Sequence, residues 1–106
     1  FEKLLRQISG QWTLYILWVL EEKGTLRFGE LKREVSGIST KVLTDRLRML
    51  ESSGIIHRCY EPTIPPKVSY QLTLRGQELS EPLDQLCALA SRWYANETDV
   101  QTQILE

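Results

Sequence analysis

The chain has 106 residues, 42% hydrophobic and 25% charged, with a formal net charge of −1. That length supports one soluble domain with a single core and leaves no room for two. No apolar run approaches the roughly 20 residues of a bilayer-spanning helix, and the near-zero total charge argues against bulk attraction to nucleic acid.

Phe1, Leu4, Leu5 and Ile8 recur at helical spacing in a short first segment ended by Ser9-Gly10. Residues 11–23, QWTLYILWVLEEK, predict a second helix that is apolar almost all round and therefore central. Thr25-Leu26-Arg27 reads as a short strand. FGELKREV at 28–35 reads as a helix with Phe28, Leu31 and Val35 inward and Lys32 and Arg33 outward. Ser36-Gly37 is a tight turn into the most informative segment. There Ser39 and Thr40 can cap a helix start, and Leu43, Leu47 and Leu50 recur at i, i+4 and i+7 as one buried stripe. Lys41, Thr44, Asp45, Arg48 and Ser52 fall on the opposite face. Gly54 stops this helix and β-prone Ile55-Ile56 follows. By their lengths the two helices and the turn, residues 28–53, form a helix-turn-helix.

Residues 55–60 and 67–72 alternate apolar and polar character. Between them EPTIPP contains three prolines, which cannot donate ladder hydrogen bonds, so residues 55–72 predict a hairpin wing. Val68, Tyr70 and Leu72 share one face of its second strand. In its first strand the inward face is ambiguous, because Ile55 and Ile56 are both apolar. Thr73 then caps one long expected helix over 74–94, striped by Leu79, Leu83, Leu86, Ala90 and Trp93; Gly76 weakens it and Pro82 can kink or break it. Residues 96–106 lack periodicity and read as a flexible tail. The expected fold is mainly α with a small β-sheet (α+β): a winged helix-turn-helix over 1–95 with an added N-terminal helix and a long C-terminal helix.

Charge is distributed unevenly. Residues 25–70 hold eight Lys/Arg against five Asp/Glu, whereas residues 71–106 hold two against six. The helix-turn-helix and wing are thus the basic part, and a local patch can serve phosphate binding when the total charge does not.

Four segments together resemble the HxlR-type winged-helix transcription regulators, relatives of the MarR group. They are LRFGELKREVSGISTKVLTDRLRMLESSGIIHR at 26–58, YEPTIPPKVSYQLT at 60–73, RGQELSEPLDQL at 75–86, and QW at 11–12. The resemblance implies a cytoplasmic, prokaryotic homodimer that binds operator DNA and responds to a small-molecule or stress signal, without a cofactor or a membrane. It also implies that the first and last helices, 1–8 and 74–94, build the dimer interface. That assigns Phe1, Leu4, Leu5, Ile8, Leu79, Leu83, Leu86, Leu89 and Trp93, each of which can equally pack within its own chain. Some members of the group carry a sensing thiol before the first helix. Here the two cysteines are Cys59 and Cys87, so redox sensing does not transfer, and each is read as a packing residue.

A helix-turn-helix sets its second helix in the major groove with the N-terminal residues nearest the bases. Ser39, Thr40, Lys41 and Thr44 are then candidates for base edges or adjacent phosphates, and Arg48 for phosphate. Asp45 is placed to accept from a cytosine amine or to orient Arg48. Lys67 represents the wing, with Arg58 behind it, while Arg27, Lys32 and Arg33 are placed to clamp the backbone. Arg46 lies between the faces and is expected to form a salt bridge with Glu30 or Glu51. Trp12, Tyr15 and Trp18 either fill the core or line an effector pocket.

Catalysis finds no support. The one histidine, His57, lies two residues from Cys59, but neighbours on a strand diverge and no third group orients them. No glycine-rich phosphate loop or metal-ligand spacing is present. The competing reading is a winged-helix protein–protein interaction module that does not recognise DNA sequence.

Overall fold

The computed structural model describes residues 1–96. In chain order it contains α1 (Glu2–Ile8), α2 (Thr13–Lys23), β1 (Leu26–Arg27), α3 (Phe28–Glu34), α4 (Thr40–Ser52), β2 (Ile56–Glu61), β3 (Lys67–Leu72), α5 (Leu74–Gln77) and α6 (Ser80–Trp93). This is a winged helix-turn-helix with helices added at both ends. The expected tail lies outside the described residues except for Asn96.

Helix α2 is central, as its all-round apolar character predicts. Ile16, Leu17, Val19 and Leu20 are buried, and α2 packs against β3, α3 and α6. From α3 the core takes Leu31, with Val35 just beyond it, and from α4 it takes Leu43, Leu47 and Leu50. Full burial of one such side chain contributes about 2 kcal/mol. Gly37 turns the chain between α3 and α4 at φ 96, a left-handed value that a side chain resists.

The wing closes a three-stranded antiparallel sheet of order β1-β3-β2. Its register pairs Ile56 with Leu72, Arg58 with Tyr70, Tyr60 with Val68 and Glu61 with Lys67. The ambiguity at Ile55-Ile56 resolves by burying both: Ile56 begins the inner face of β2, and Ile55 packs beneath α5. The carbonyls at the end of α4 are satisfied from α5. Thr73 Oγ1 donates to the Gly54 carbonyl at 2.6 Å, and Arg75 Nη1 donates to that of Ser53 at 2.9 Å.

The long helix expected over 74–94 is two helices, α5 and α6. In a continuous helix Pro82 would leave the Glu78 carbonyl without a donor and press its ring against it. The break falls at Glu78-Leu79, which places Pro82 third in α6, where a free N–H is not needed. Leu83 faces the chain's own core and is 5% exposed. Its assignment to a dimer surface is therefore corrected: one monomer already covers it. By contrast Leu86 is 51% and Trp93 65% exposed.

Candidate nucleic-acid interface

Ser39 starts α4 by accepting a hydrogen bond from the Val42 N–H at 3.1 Å. Burial of Leu43, Leu47 and Leu50 turns the opposite face outward, leaving Thr40, Lys41, Asp45 and Arg48 exposed and Thr44 half-buried. Lys41 Nζ meets Asp45 Oδ2 at 3.3 Å across one helical turn. Asp45 therefore engages Lys41, not Arg48 as the alternative reading had it. Such an exposed i,i+4 pair contributes about 0.3–0.5 kcal/mol and breaks readily for a stronger anion.

Beside this face the wing register brings in a residue that the sequence had ranked behind Lys67. Arg58 lies opposite Tyr70, on the side of the hairpin that carries Ile56 and faces α4. A cleft of about 390 Å³ results, lined by Phe28, Thr44, Leu47, Arg48, Glu51, Arg58 and Tyr70. Strand alternation held this information, but only once Ile56 was known to point inward. Lys67 projects from the opposite face of the hairpin, paired across the strands with Glu61. Arg27, on β1, is aligned with Ser69, and its backbone N–H donates to Glu30 Oε1 at 2.8 Å. Lys32 and Arg33 are exposed on α3. Among the predicted contacts, then, Thr44 and Arg48 share the cleft, Ser39 to Lys41 occupy the exposed start of α4, and the remaining cations stand apart.

Arg46 forms neither expected salt bridge. Its Nε donates to the Gln11 carbonyl at 2.9 Å. That carbonyl belongs to a second, more apolar groove of about 640 Å³, lined by Ile8 to Trp12, Leu14, Tyr15 and Ser36. Tyr15 is exposed, so the core reading fails for it; its ring stacks on the half-buried Trp18, with centroids 5.5 Å apart. Cys59 is half-buried in β2. Cys87 is exposed on α6, so packing does not account for it. Among the described residues no three His, Cys, Asp or Glu side chains are grouped to hold a metal ion. Nor is any helix there long and apolar enough to cross a membrane.

Sequence and fold comparisons agree with this architecture. An uncharacterised HTH-type transcriptional regulator of Halalkalibacterium halodurans is 39% identical over 87 residues, covering 82% of this chain and 77% of the relative. The crystal structure of YtcD, described as an HTH-type transcriptional regulator, superposes with a TM-score of 0.84 at 39% identity, covering 90% of this chain and 96% of that one. The redox regulator HypR in its oxidised form gives 0.80 at 34% identity, covering 86% and 93%. The first two are named for transcriptional regulation and HypR for redox regulation; none of the three is named for catalysis. The family model for HxlR-like helix-turn-helix proteins matches residues 7–98, and the chain belongs to that family of HTH-type transcriptional regulators.

Proposed function

We propose that this protein is a sequence-specific DNA-binding regulator that reads a pseudo-palindromic operator as a homodimer. The observation that carries the reading is the outward face of α4. Its polar and cationic side chains stand on a helix whose other face is locked into the core by Leu43, Leu47 and Leu50, beside a wing that adds Arg58. A rigid helix of this kind fits the major groove, with Ser39, Thr40, Lys41 and Thr44 toward base edges and Arg48 toward the backbone. Lys67, Arg27, Lys32 and Arg33, which stand apart from the cleft, are further candidates for backbone contacts.

Dimerisation is supported by apolar surface that a monomer leaves open. Helix α1 buries no residue, and Phe1 is 89% exposed. Seven residues are too few for a stable isolated helix, so Phe1, Leu4, Leu5 and Ile8 call for a covering surface. Leu86, Leu89 and Trp93 of α6, with Leu79 at its start, offer one. The groove around Trp12 and Tyr15 is suited to a small effector, since none of its lining residues is charged.

Selection of bound duplexes from a randomised pool tests the reading. An enriched inverted repeat with half-sites about 10 bp apart is expected, bound at least about a thousandfold more tightly than scrambled DNA. Absence of enrichment would leave the winged-helix protein-interaction module as the better account.

A further inference from the structure

We propose that Arg58 of the wing and Arg48 of α4 together grip one DNA backbone phosphate, where that strand passes between helix and wing. The proposal rests on the DNA-binding reading above and extends it to a pair of residues acting as a unit. With α4 in the major groove and the wing at its flank, the sugar-phosphate strand that separates the two grooves crosses the gap between them. The cleft between α4 and the hairpin occupies that gap.

Its lining suits a phosphate. Two arginines, Arg48 of α4 and Arg58 of β2, line it from different elements, and Thr44 and Tyr70, each carrying a hydroxyl, line it as well. Arg58 is committed to this side by strand register, because residues directly opposite on antiparallel strands share a face and Tyr70 is held in the core. Among the described residues the ion pairs are Lys23–Glu34 and Lys41–Asp45, so neither Arg48 nor Arg58 is bound to a carboxylate. Glu51 lines the cleft without pairing to either arginine and opposes anion entry. Arginine forks match phosphate oxygens in bidentate fashion, and two forks on one phosphate fix the distance between wing and helix as well as adding affinity.

Salt titrations of duplex binding by the full chain test the grip. Each phosphate contact contributes about 0.9 to the slope of log affinity against log salt. Arg58→Ala and Arg48→Ala should each weaken binding about tenfold, on selected and scrambled duplexes alike, with the slope falling by less than one. The double variant should lose about one in slope, because a single phosphate is released. Arg58→Lys should keep the slope and lose part of the affinity, and Glu51→Gln should tighten binding. A loss of about two in the double variant would mean two separate phosphates and overturn the shared grip. Unchanged affinity and slope in Arg58→Ala, with its thermal unfolding unaltered, would overturn the grip alone. No salt-dependent binding of any duplex by the unaltered protein would overturn the DNA-binding reading with it. Saturable binding of inorganic phosphate without DNA, lost in Arg58→Ala, would assign the cleft to a soluble phosphate ester instead.

Discussion

Arg46 Nε donates to the Gln11 carbonyl at 2.9 Å, tying the middle of α4 to the loop between α1 and α2 across 35 positions of sequence. The loop is tightly turned beside this bond. Trp12, next in the chain, is held at a left-handed φ of 75, and a Cβ on Gly10 would stand 2.9 Å from the same Nε. The helix proposed to read DNA is thus anchored to the segment that lines the Trp12–Tyr15 groove.

Arg46→Met keeps most of the stem and removes the donor. An expected loss of about 1 kcal/mol follows from one exposed hydrogen bond to a charged group. Gly10→Ala should cost a similar amount by displacing the guanidinium, and the double variant should be little worse than either single one. Urea unfolding of the three variants measures this; full additivity would mean that the two residues do not act through one contact.

Gly76 is buried, and a Cβ there would drive into the backbone carbonyl of Ile55. Backbone yields less than a side-chain tip, so Gly76→Ala should destabilise by about 3 kcal/mol through overpacking. A melting temperature within a few degrees of the parent would show that α5 can lift away from the wing base.

Glu21 on α2 has Oε1 buried without a hydrogen-bond partner. Burial first, then the neighbouring carboxyl of Asp84, and last the charge of Glu22, raise its pKa above the ordinary 4.5. Folding therefore favours its protonated form. The stabilisation is fully present below the ordinary value and is lost as pH rises through the raised one. Glu21→Gln should match the parent in acid and be more stable at neutral pH. Parallel stability curves for the two proteins across that range would refute the assignment.

The Lys41–Asp45 pair makes two separable predictions for DNA. Lys41→Ala should weaken operator binding without unfolding the protein. Asp45→Asn should tighten binding about twofold on every duplex, by releasing the lysine from a pair of about 0.3–0.5 kcal/mol. Should Asp45→Asn instead change which sequence is preferred, Asp45 reads a base.

Removing residues 1–8 takes away the exposed Phe1, Leu4 and Leu5 and should yield a monomer with poor affinity for DNA. Light scattering after size exclusion decides the point. A truncated chain that still dimerises would place the contact on Leu86 and Trp93 alone.

Much of this protein was legible in its residues because the relevant signals are local. The i, i+4, i+7 stripe of Leu43, Leu47 and Leu50, the caps at Ser39 and Thr73, the turn at Gly37 and the prolines of EPTIPP each act within one or two turns of chain. They determined the helix-turn-helix, the wing and the outward face of α4. Other features needed tertiary structure, because their partners lie far away in sequence. Strand register placed Arg58 beside Arg48. Helix packing covered Leu83 and left Leu86 open, and loop geometry gave Arg46 a carbonyl in place of a carboxylate. Periodicity says which side of an element is apolar; only the packing of elements against one another decides what each remaining side chain meets.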